Sequence, residues 1–126
     1  MEYMKHKAWG QTYDLCVEIN EYAIGHGMAL QLYCMEDGEF EPYADLTVNL
    51  PSFLTGKNRA FIDTNNMPEA EDLIRNYKLG KATGRVGISG YCRYPEYEFD
   101  MAEVNRYCVN PEPVRDTGSR KTDLER

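Results

Sequence analysis

The chain has 126 residues, a formal net charge of −7 and a pI near 4.8. That length is one domain, able to bury a core without metal or disulfide. The acidity argues against direct nucleic-acid binding and against an anionic membrane surface, both of which call for a basic footprint. Hydrophobic residues make up 42% of the chain, above the disordered range. No apolar run approaches the ~18 residues of a membrane span. Ten tyrosines stand against four phenylalanines and one tryptophan. Tyrosine joins an apolar ring to a hydroxyl that seeks a partner, so a tyrosine-bearing sheet with a contact surface is expected.

In chain order, Tyr3, Met4, Ala8 and Trp9 surround Lys5-His6-Lys7 as a short edge strand, and Gly10 and Gln11 make a turn. From Tyr13 to Ile19, Tyr13, Leu15, Val17 and Ile19 alternate with Asp14, Cys16 and Glu18, the period of a half-buried strand. Gly25-His26-Gly27 breaks it. A strand over 28–35 places Leu30, Leu32 and Cys34 on one face. Asp37-Gly38 then signals a hairpin. A third strand over 40–50 is expected to turn Leu46, Val48 and Leu50 inward and Thr47 and Asn49 outward, with Pro42 marking an edge.

Ala60-Phe61-Ile62 reads as a short apolar strand running into Asp63-Thr64-Asn65-Asn66. An amphipathic helix over 68–79 follows, with Asn66 and Glu69 as a capping box, Ala70, Leu73, Ile74 and Tyr77 on its apolar face, and Gly80 as its stop. Residues 82–94 look extended, and their glycines predict a bulge or a close backbone approach. Pro95 interrupts, and Tyr97 to Phe99 reads as a further strand. Residues 101–108 read as strand or as a helix placing Met101, Val104 and Cys108 on one side. From Pro111 the apolar residues nearly vanish, so a domain over 1–110 and a disordered tail over 111–126 are expected.

Glu36, Asp37, Glu39, Glu41 and Asp45 occur without an intervening base. Glu96, Glu98, Asp100 and Glu103 form a second acidic group beside Arg93. Between them lie Arg75, Lys78, Lys81 and Arg85 with no acid. Solvated strand edges carry such charges to resist aggregation. The same charges also fit a basic protein partner, steered by long-range attraction.

Signals for chemistry are sparse. The 63–66 stretch, where strand hands over to helix, suits an anion or a metal at Asp63, or simply an Asx turn. Gly84-Arg85-Val86-Gly87 does not open a helix, and Ser89 lacks nucleophile-elbow spacing. Cys16, Cys34, Cys92 and Cys108 form no C-x-x-C pair, which favours buried thiols in a reducing cytoplasm over zinc. No catalytic residue, metal or cofactor is assigned.

The run Leu46-Thr47-Val48-Asn49-Leu50-Pro51, then Ala60 to Asn66, Pro68, Thr83-Gly84-Arg85, Ser89-Gly90-Tyr91 and Tyr94-Pro95 resembles a small family of bacterial proteins from plasmids, phages and integrated conjugative elements. The likeness spans about residues 40–100 and brings no catalytic residues. It implies a setting in which small acidic proteins blunt host defence, as anti-CRISPR and antirestriction proteins do.

The expectation is an α+β fold: one antiparallel sheet of about five or six strands, with the 68–79 helix across one face. The expected function is non-enzymatic: an acidic inhibitor or binding protein, monomer or homodimer, engaging the basic nucleic-acid surface of a defence nuclease. Its contact residues would be Glu36, Asp37, Glu39, Glu41, Asp45, Asp63, Asn65, Asn66, Tyr91, Tyr94, Glu96, Glu98 and Asp100. The alternatives are a small enzyme or ligand-binding domain built on Asp63 to Asn66 and the 84–90 glycines, or an accessory protein dimerising through an unpaired strand edge.

Overall fold

A computed structural model describes residues 1–53 and 55–111. The expected tail beyond residue 111 lies outside them. The fold is sheet-rich α+β, with eight strands and two short helices among the described residues. The strands form two four-stranded sheets, in place of the single sheet expected.

Sheet one is the meander β1 (Met4–Ala8), β2 (Gln11–Glu21), β3 (Met28–Glu36) and β4 (Glu39–Asp45), all antiparallel. Asp37 and Gly38 both hold positive φ at the β3–β4 turn, as a two-residue hairpin with native twist requires. Met4, Leu15, Val17, Leu30 and Leu32 turn inward and are buried, as the alternation predicts.

The expected third strand over 40–50 breaks at Leu46, and this break creates the second sheet. β4 ends at Asp45, and the two-residue β5 (Thr47–Val48) pairs instead with β6 (Arg59–Ile62). Leu46 donates its N–H to Leu30 O, while its own carbonyl accepts the N–H of Asp63, so it bridges the sheets. Thr47, expected outward, is buried because its hydroxyl satisfies Leu30 N at 3.0 Å and Tyr22 Oη at 2.8 Å.

Sheet two runs β5-β6-β8-β7, with β7 (Gly80–Ser89) and β8 (Cys92–Phe99) as a long hairpin. Pro95 lies within β8, correcting the expected interruption. It pairs with Val86, while the β6 ladder ends at Phe61 opposite Glu96, so no β6 partner waits for the missing N–H. Gly80 starts β7 rather than stopping a helix. A Cβ there would stand 2.5 Å from Glu98 O.

Helix α1 (Ala70–Asn76) is shorter than expected. Asn66 does not cap it, because Asn66 turns back onto Asp63, and Lys78 with φ 56° ends the helical segment. The alternative helical reading holds for α2 (Met101–Arg106), which Asp100 caps by accepting the N–H of Ala102 and Glu103. One core joins the inner face of sheet one, Ala60, Ile62, Tyr97 and Phe99 of sheet two, Ala70, Leu73 and Ile74 of α1, and Val104 of α2. Phe61 points the other way, into a smaller cluster with Leu50 and Tyr94. A Cβ on Gly87 would come within 2.5 Å of Leu50 Cδ1, so the glycine makes room for that cluster. After α2 the chain returns to sheet one. Val17 bonds Tyr107 O and Val109 N, and the Asn110 side chain takes both backbone groups of Ile19.

Candidate interaction surface

The β3–β4 hairpin at the border of sheet one carries Glu36 at the end of β3, Asp37 in the turn, and Glu39, Glu41 and Asp45 on the outer strand β4, and all five are exposed. Among the described residues none of them has an ion-pair or hydrogen-bond partner for its carboxylate. Glu36 faces Glu39 across the ladder, so like charges sit opposite one another. Phe40 lies among these acids and is 44% exposed.

The second acidic group does not form a matching surface. Glu96 is buried, only 1% exposed, which corrects its expected place on an exposed border. Its carboxylate accepts the Thr83 hydroxyl at 2.7 Å and the Arg85 guanidinium at 3.2 Å. Thr83, Gly84 and Arg85 are the residues where β7 bulges between Ala82 and Val86, so Glu96 clamps the bulge. Arg85 also lies 5.7 Å above the Phe61 ring. Glu98 is exposed but takes the Arg59 guanidinium at 3.1 Å, Asp100 caps α2, and Glu103 holds Arg106 at 3.0 Å. These acids are spent on local partners.

Asp63 is buried as well. Its two oxygens accept the backbone N–H of Asn66 at 3.2 Å and the Asn66 side-chain amide at 2.9 Å, an Asx turn. Asn65 and Asn66 are exposed, and Tyr94 is buried against Leu50 and Phe61. Burial adds to a bond with Cys92 in holding the Tyr94 hydroxyl above its ordinary range, the bond being the larger cause. Tyr91 is fully exposed at the β7–β8 turn, beside Gly90 with φ 60°. The expected contact residues therefore divide: the β3–β4 acids stand together, while Asp63, Tyr94 and Glu96 are interior.

Two features escape sequence reading. Beyond the core the β7–β8 hairpin exposes Val86 and Ile88, whose alternation with glycines resembles an ordinary half-buried strand. A polar cleft of about 410 Å³ opens between the Gly25-His26-Gly27 turn and the 55–59 loop, with Glu21 and Arg59 on its walls. No local sequence signal brings those two loops together. A shallow groove of about 660 Å³ lies along Arg75, Lys78, Lys81 and Glu98. None of these clefts is lined by Asp63, Asn66 or the 84–90 segment.

All four cysteines are free thiols. Burial, with Cys108 and Cys34 nearby, pushes the Cys16 thiol up to about 11. Among the described residues no three His, Cys, Asp or Glu side chains gather to hold a metal ion, and no helix is long and apolar enough to cross a membrane.

Among the described residues, fold and surface together define a small two-sheet α+β protein with one unpaired acidic edge. The chain belongs to the family described as a domain of unknown function, DUF4313, whose profile matches residues 16–113. The match takes in both the β4 edge and the β7–β8 hairpin. No curated protein and no solved structure matches the chain.

Proposed function

We propose that the chain is a non-enzymatic binding protein that presents the β3–β4 edge to a basic surface of a partner protein. The observation that carries this reading is five exposed carboxylates, without cations among the described residues, on the β3–β4 hairpin, three of them on the edge strand β4 beside an exposed phenylalanine. Uncompensated charge on an edge raises encounter rates with a basic partner, and the aromatic ring supplies buried area on contact. A surface of that kind substitutes for the phosphates that a nucleic-acid groove would hold. The resemblance to proteins of bacterial mobile elements points to a defence nuclease as the owner of the groove, acting in the reducing cytoplasm, where four free thiols are at home. The interior roles of Asp63 and Glu96 support a binding role over a catalytic one.

The test is affinity capture from a host lysate with the native chain and with a variant carrying Glu36→Gln, Glu39→Gln, Glu41→Gln and Asp45→Asn. The native chain is expected to retain a basic nucleic-acid-binding protein that competing duplex DNA releases. Equal retention by the neutralised variant would refute the assignment.

A further inference from the structure

We propose that the distal part of β7, residues 86–89, receives the β4 edge of a second copy of this chain, so that molecules associate head to tail. Four strands lie at sheet edges: β1, β4, β5 and β7. The outer backbone of β1 is already occupied, since the Tyr77 hydroxyl accepts Lys5 N–H at 2.6 Å and donates to Lys5 O at 3.2 Å. β5 is two residues long. That leaves β4, paired with β3 alone, and β7, paired with β8 alone, among the described residues. An unpaired strand is a template for another strand.

Charge selects the pairing. β4 carries Glu39, Glu41 and Asp45 and no base, whereas the edge strand β7 carries Lys81 and Arg85 and no acid, with Arg93 opposite Ile88 on β8. Two β4 edges repel, as do two β7 edges, but a β4 edge attracts a β7 edge. Arg85 is engaged by Glu96, so Arg93, exposed opposite Ile88, provides the contact charge at residues 86–89, and exposed Lys81 adds positive charge at the other end of the β7 edge. Apolar groups agree: Val86 and Ile88 are 38% and 50% exposed on β7, and Phe40 is 44% exposed on β4. A β-branched residue against an aromatic ring is a favourable cross-strand pair. The contact joins two different surfaces, so it is heterologous and propagates as a chain or ring rather than closing as a two-fold dimer. This goes beyond the partner reading while using the same β4 edge, so self-association and partner binding compete.

The experiment uses purified full-length protein with no partner present, so its outcome is separate from that of the capture test. Light scattering is recorded over a concentration series at roughly 0.02 M and 0.5 M salt, where screening differs severalfold in range. The native chain is expected to rise above its 14.6 kDa monomer mass with concentration at low salt and to return to it at high salt. Two charge-reversed proteins, Glu39→Lys/Glu41→Lys and Lys81→Glu/Arg93→Glu, are each expected to stay monomeric. Their equimolar mixture is expected to associate, because the first variant carries two basic edges and the second two acidic ones. Recovery on mixing also shows that both variants fold. A native chain that stays monomeric at low salt, variants that associate like the native chain, or a mixture that stays monomeric would each overturn the proposal.

Discussion

At Glu96 a carboxylate sits inside the protein with a cation that does not. The Glu96 side chain is 1% exposed and the Arg85 side chain 43%. The two ends of the pair therefore respond differently to deletion. Arg85→Ala strands a buried carboxylate with only Thr83 to bind it, a loss expected to cost about 3 kcal/mol. Glu96→Gln keeps the shape and lets Arg85 turn to water, and is expected to cost about 1 kcal/mol. Denaturant unfolding of the two variants checks the order, and a larger loss for Glu96→Gln would contradict it. Tyr97 makes a separate, pH-dependent contribution. Burial first, and a bond to Glu71 second, raise its hydroxyl from 10.0 to about 12. The folded state thus holds a proton that the unfolded chain releases above pH 10, so stability present below pH 10 is lost as pH rises towards 12. Cys16 acts in the same direction between 9.0 and about 11. Thermal unfolding at intervals from pH 8 to pH 12 is expected to show this fall. Tyr97→Phe should make it shallower, and an unchanged slope in that variant would count against the assignment.

At the scale of elements, Tyr77 at the C-terminal end of α1 fastens the backbone of Lys5 through both its groups. Tyr77→Phe is expected to cost about 1–2 kcal/mol and to speed amide exchange at Lys5, without touching β7. Exchange at Lys5 that stays at the native rate would show that the hydroxyl is not holding β1. The first three strands were legible because their alternation and the Asp37-Gly38 turn are local signals that agree with burial. The single-sheet expectation failed at Leu46 and Thr47. There the direction of the chain is decided by Leu30 and Tyr22, residues distant in sequence, and a buried threonine looks like an outward one. Asn66 misled for a related reason. Its side chain serves either a helix or an Asx turn, and Asp63 three residues earlier won. Pro95 misled because its missing N–H breaks a strand only where a neighbour needs it, and the β6–β8 pairing stops at Glu96.

At the scale of the whole molecule, charge is sorted by sheet edge. The run of acids from Glu36 to Asp45 was readable as a unit because consecutive residues on one hairpin stay together in space. The group from Glu96 to Glu103 was not, since its partners Arg85, Arg59 and Arg106 arrive from other elements. Neutralisation by distant cations is invisible in a linear count. What survives is one acidic edge strand on sheet one, β4, and one basic edge strand on sheet two, β7.

The measurement that bears most directly on this account is the ionic-strength dependence of binding between the purified chain and the basic protein it captures. Native chain and the four-site β3–β4 neutralised variant are compared across roughly 0.05–0.5 M salt. The account predicts steep weakening for the native chain and a weak, nearly flat response for the variant. Equal affinity and equal slope for the two would contradict it.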